Sequence, residues 1–157
     1  MRRTVIALTM AFVGSYATGQ VVVGKSVGQD LYLPIYSHVW HGEMSKNVPE
    51  KTLVSVSVSV RNTDSSKAIR ILSAKYFDTQ GNGLREYVAS PMTIGPMGTY
   101  ELFVPRSDDT GGSGANFVIR WQSDKPANPP IVQGLHANLT VGRSLTFTTS
   151  AVVMPAE

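Results

Sequence analysis

The chain contains no cysteine at any of its 157 positions. Disulfides and thiolate metal sites are excluded, so any fold must be held together by its core. Charge is scarce as well, with 16% Asp, Glu, Lys and Arg and a formal net charge of +3. Without Arg2 and Arg3 at the extreme N-terminus, 12 basic residues face 11 acidic ones, a net charge of +1. A near-neutral domain has no field strong enough to steer nucleic acid, so no nucleic-acid partner is expected. There are only three histidines and two tryptophans. No apolar run reaches the roughly 20 residues that a spanning helix needs, which leaves no membrane span in the mature chain. Helical periodicity longer than a turn, internal repeats and low-complexity segments are all missing.

What the N-terminus does have is the layout of a secretory leader. Met1-Arg2-Arg3 is basic, Thr4 to Val13 is apolar, and Ser15-Tyr16-Ala17 ends on a small residue. Residues 1–19 are therefore expected to be a signal peptide cut after Ala17 or Gly19, which places the mature chain in the periplasm or outside the cell. The arginine pair lacks the rest of a twin-arginine motif, and with no cysteine after the apolar run no lipid anchor forms there.

Alternation of apolar and polar residues dominates the remainder. Val54, Val56, Val58 and Val60 alternate with Ser55, Ser57 and Ser59. A helix would scatter these valines around its axis, whereas a strand gathers them on one face. Leu31, Leu33 and Ile35 share a face in the same way, and Pro34, without an amide donor, puts that strand at a sheet edge or ends it. Further strands are read over Ile69 to Phe77, Leu84 to Val88, Tyr100 to Val104, Phe117 to Gln122, Ile131 to Leu139 and Leu145 to Val153. Asp78 to Gly83 reads as a hairpin turn in which Gly81 and Gly83 can take positive φ, and Ile94 to Gly98 as a second turn. Ser37 to Glu43 reads as a loop, Ser45 to Lys51 as a polar connector, and Asp124 to Pro130 as an extended connector with three prolines. Seven to eight short strands with turns between them predict an all-β chain, an antiparallel two-sheet sandwich of immunoglobulin-like type covering residues 28–154. A small barrel is the competing architecture.

Two segments carry candidate chemistry. The first is Asp108-Asp109-Thr110-Gly111-Gly112-Ser113-Gly114-Ala115-Asn116. Its backbone amides, with Ser113 and Asn116, suit a ring around an anion or a sugar hydroxyl, while Asp108 and Asp109 favour a cation or polyol. No lysine follows the glycines, so the spacing is neither a phosphate-binding nor a dinucleotide loop. A Gly114→Val change should misplace this loop, because a branched side chain resists positive φ. The second segment holds Tyr36, His38, Trp40 and His41, a polar and aromatic surface. His38 and His41, three apart, with Met44 as a soft ligand and Glu43 or His136 to complete the set, also suggest a copper or zinc site. Ser37 beside His38 is no catalytic pair, since neighbours on an extended chain point to opposite faces. Ser113 lacks the Gly-x-Ser-x-Gly spacing of a nucleophile elbow.

Four motifs occur in order: Tyr32-Leu33-Pro34-Ile35-Tyr36-Ser37-His38, Arg61-Asn62-Thr63-Asp64, Tyr76-Phe77-Asp78-Thr79-Gln80-Gly81 and Gly111-Gly112-Ser113-Gly114-Ala115-Asn116-Phe117. Together they resemble the bacterial exported domain-of-unknown-function family 3124. The resemblance implies an exported protein with no assigned activity. It also implies an acidic residue after the late proline-rich connector, near where Gln133 stands here. The expectation is then a non-catalytic binding or accessory module for an unknown protein or glycan. Its binding residues would be Tyr36, His38, Trp40, His41, Asp109, Gly112, Ser113, Gly114 and Asn116, and no cofactor is implied. The alternative is a periplasmic metal-binding protein using His38, His41 and Met44.

Overall fold

The computed structural model describes residues 24–155, so the expected leader at 1–19 lies outside the described residues. In chain order the strands are β1 (Ser26–Pro34), β2 (His38–Ser45), β3 (Val48–Leu53), β4 (Ser55–Arg61), β5 (Ile69–Phe77) and β6 (Gly83–Glu86). They continue with β7 (Met92–Ile94), β8 (Thr99–Val104), β9 (Asn116–Ala127), β10 (Ile131–Thr140), β11 (Arg143–Ser150) and β12 (Val152–Val153). All pairings are antiparallel. One sheet runs β12-β1-β9-β5-β6 with β7 also on β5, a second runs β11-β10-β4-β8, and β2-β3 form a two-stranded arm of their own.

The valine alternation does what its period demands. Val54, Val56, Val58 and Val60 are fully buried, and the last three join a cluster with Leu33, Ile71, Tyr76, Phe117 and Trp121 from the first sheet. Each such burial is worth about 1.5–3 kcal/mol relative to exposure. Tyr76 and Phe117 stack with centroids 5.2 Å apart and fill the space that the smaller valines leave. Pro34 closes β1, where its missing amide costs no ladder bond. Just beyond it the chain reaches the second sheet: the Tyr36 amide donates to His136 Nε2 on β10 at 3.0 Å. Gln133, near the place where the resemblance implies an acid, accepts from Arg61 Nη1 at 2.6 Å.

Two connectors turn out to be strand. The segments read as loop (Ser37 to Glu43) and polar connector (Ser45 to Lys51) are instead the β2-β3 hairpin, turned by Lys46 and Asn47 with φ of 52° and 63°. Positive φ at both central residues is the primed turn that matches strand twist. The pattern hid it for two reasons: the arm belongs to neither larger sheet, and Gly42, at φ 70°, sits where the register shifts between His41 and Ser45. Strand β9 likewise runs on to Ala127 through Pro126, which is tolerated because the pairing with β1 slips between Ser26 and Gly28. The arm and the short β6, β7 and β12 raise the strand number to twelve among the described residues, against the seven to eight expected. At the two tight turns, Gly81 takes positive φ but Gly83 does not, and Met97 rather than a glycine holds the left-handed position of the second.

Candidate functional site

The glycine-rich segment and the histidine segment meet at one end of the molecule. The Ser37 amide donates to Gly112 O at 3.0 Å, and Lys51 Nζ on β3 reaches Asp109 Oδ2 at 3.2 Å. Thr79, in the β5-β6 turn, donates both its amide and its hydroxyl to Gly111 O, at 2.9 and 3.0 Å. Its hydroxyl oxygen in turn accepts the Gly114 amide at 3.0 Å. The Gly112 amide goes to Asp109 O. The Gly112 and Gly114 amides are therefore already paired, one within the loop and one with Thr79, and neither is a free donor for a ring around an anion. Asp108 is also engaged locally, accepting from the Thr110 amide and hydroxyl.

The glycines serve two different needs. Gly112 has φ of 77°, a left-handed position. The expectation of positive φ at Gly114 is corrected: it is needed for close approach, since a Cβ there would lie 3.0 Å from Thr79 Cγ2. Gly111 is tighter still, because a Cβ would overlap the Tyr76 hydroxyl and the Ala115 methyl. That hydroxyl is bonded to Ser37 Oγ at 3.1 Å, the root of the arm. Gly111→Ala is thus expected to cost about 1–3 kcal/mol and to loosen the arm. Denaturant unfolding measures the first effect, and faster amide exchange at Ser37 and Val54 the second.

The arm presents two unlike faces. Register pairs Trp40 with Lys51 and His41 with Glu50, so His38, Trp40 and Lys51 lie on one face and Val39, His41 and Thr52 on the other. His38 is buried with its ring edge-on to Trp40 at 4.7 Å, and neither ring nitrogen has a hydrogen-bond partner. Burial lowers its pKa, the Lys51 charge adds to that, and Asp109 opposes it. Trp40 remains 47% exposed. On the other face His41 Nε2 bonds Thr52 Oγ1 at 2.7 Å, and Nδ1 lies 3.5 Å from Glu50 Oε2. Spacing of three on a strand therefore separates His38 from His41, and Met44 lies past the Gly42 irregularity, exposed. His136 is buried beside Phe147, away from the arm. Among the described residues no three of His, Asp and Glu gather as a metal group.

His38, Trp40, Asp109 and Gly112 thus share one neighbourhood, with Gly114 held over Thr79 and Ser113 half-buried between them. Tyr36 does not join them: it packs edge-on to His136 and Phe147, each at 5.6 Å. Asn116 opens β9 opposite Pro34 and Phe77, on the face turned from the core. Lys51, Tyr76 and Thr79 were missed by sequence reasoning, although Tyr76 and Thr79 lie in one of the four quoted motifs. A cavity of about 470 Å³ lined by Tyr76, Arg85, Asp108 and Thr110 opens beside the loop.

A family model described as protein of unknown function (DUF3124) matches residues 28–154, the span that contains the arm, the glycine loop and both larger sheets. The chain belongs to the DUF3124 family. Among solved structures, this DUF3124 chain is similar to one titled "Crystal Structure of Thermotoga maritima 1070", at 12% identity and a TM-score of 0.45. The match covers 79% of this chain and 92% of that one. No curated protein matches. Among the described residues no helix is long and apolar enough to cross a membrane.

Proposed function

We propose that this DUF3124 chain is an exported, non-catalytic binding or accessory module that recognises a protein or glycan through the end where arm and glycine loop meet. Its two larger sheets form the body of an immunoglobulin-like sandwich, and the leader-like residues 1–19 direct it to the periplasm or beyond. One observation carries the reading: Trp40 stays half-exposed on a hairpin that is tied to the glycine loop by the Lys51–Asp109 pair and the Ser37–Gly112 bond. Holding a large aromatic ring in water costs hydrophobic free energy, and a partner that covers it recovers that cost. Rigid scaffolds that present such a ring on a fixed loop are a common form of recognition surface. The Ser37 hydroxyl, engaged with buried Tyr76, supports a structural rather than a nucleophilic role for that residue.

Photo-cross-linking in the cell envelope of the native host tests the reading. A benzophenone side chain at position 40 is expected to give a discrete adduct. The same probe at Ser57, on the outward face of the second sheet, is expected to give none. Equal patterns from the two positions would defeat the proposal.

A further inference from the structure

We infer that the cleft on the opposite face of the arm binds a carboxylated sugar, with Arg143 as the carboxylate receptor. The cleft, of about 460 Å³, lies between the Val39, His41 and Thr52 face of the arm and the inward face of the β10-β11 hairpin. That volume falls within the range of small-ligand sites, roughly 300–1,000 Å³. The inference does not rest on the role proposed for Trp40, which faces the other way.

The lining sorts by chemistry into the three parts such a ligand needs. Val39 and Leu145 supply apolar surface for the C–H face of a sugar ring. Thr52 and Thr140 supply hydroxyls, and both are already oriented: Thr52 by His41 and Thr140 by Asn138. Arg143 supplies the charge. No acidic residue pairs with it among the described residues, so its guanidinium is available to a ligand. Glu50, the acid on this face of the arm, lies beside His41. No carboxylate lines the cleft itself. A guanidinium fork next to hydroxyls and an apolar floor matches a carboxylate on a polyhydroxylated ring, because the fork binds both carboxylate oxygens at once. The neighbouring Gly142, at φ 80°, closes the turn that brings Arg143 back over Thr140.

Calorimetric titration of the protein with sodium glucuronate, glucose and acetate at low ionic strength tests the inference. Glucuronate is expected to bind roughly tenfold or more tightly than either glucose or acetate, the range of one charge-assisted hydrogen-bonding pair. Arg143→Gln should remove that advantage, Arg143→Lys should keep part of it, and Arg61→Gln, on the outward face of the second sheet, should leave it within about twofold. Glucose binding as well as glucuronate would overturn the inference, as would acetate doing so, which would reduce the cleft to a bare carboxylate trap. So would full glucuronate affinity in Arg143→Gln, or no saturable response to glucuronate at all. Should Arg143→Gln fail to fold, the comparison of the three ligands on the unaltered protein still decides.

Discussion

Asn62→Ala is expected to lower the unfolding free energy by about 3–5 kcal/mol, because one buried side chain serves several backbone groups at once. Asn62 Nδ2 donates to Lys67 O at 2.8 Å, Gly95 O at 2.9 Å and Ile94 O at 3.2 Å, its two protons shared among three acceptors. Its Oδ1 accepts the Asp64 amide at 3.0 Å. The end of β4 is thereby fastened to the connection before β5 and to the turn between β7 and β8. Asp64 extends the fastening to a fourth segment, since its carboxylate accepts the Asn128 amide before β10 as well as those of Ser66 and Lys67. The Ser66 amide first, then the other donors, hold the Asp64 pKa below the usual carboxylate range although burial opposes them. Alanine at 62 would leave buried carbonyls unpaired, each at about 1–3 kcal/mol, and open a void. Urea unfolding measures the loss. Ser65→Ala, at an exposed position of the same turn, should stay within about 0.5 kcal/mol. If Asn62→Ala matched that control, the fastening would not be energetic.

Sequence alone carried the sheets further than it carried the site. Val54 to Val60 and Ile69 to Phe77 were legible because each strand buries one face and exposes another, so its composition repeats with the pleat. The arm was not legible, since His38 to Lys51 packs on both sides against unlike neighbours and exposes much of its length, which erases any single period. Asn62 was readable as turn chemistry, but its three carbonyl partners lie five to thirty-three residues away. The histidines misled for a related reason. Their spacing suggested convergence, and strand geometry turned it into divergence, with His38 toward Asp109 and His41 toward the cleft. The glycines of 111–114 were singled out for their backbone amides, and the structure shows two of them holding a close approach. Their neighbours, Tyr76 above Gly111 and Thr79 against Gly114, come from chain segments more than thirty residues earlier.

Stability is expected to fall by on the order of 3 kcal/mol as pH drops from about 6.5 to about 4, with His136 the main cause. The ring is fully buried, stacked on Phe147 at 4.3 Å, and its Nε2 accepts the Tyr36 amide proton, so that nitrogen carries no proton in the folded state. Desolvation lowers its pKa from 6.5 to about 4, against the opposing backbone hydrogen bonding at Phe147 and Gly134. Between those two values the unfolded chain binds a proton that the folded chain refuses. The stabilisation is therefore complete above about 6.5 and is lost progressively down to about 4. Asp30, Asp64, Asp78 and Glu86, all with lowered pKa, have the same sign but act below the ordinary carboxylate range. His38 also pulls in this direction, through its own burial. His136→Gln keeps an acceptor for Tyr36 without a titrating ring, so its unfolding free energy should start lower at pH 7 and then fall much less steeply than the parent's down to pH 4.5, with His38 the remaining contributor. Denaturant titrations of both proteins at closely spaced pH values make the comparison. A variant that loses stability as steeply as the parent over that window would move the titration to another group, His38 being the first to exchange next. A flat profile in both proteins would mean that the ring carries its proton in the fold, and the Tyr36 bond would then have to be drawn differently.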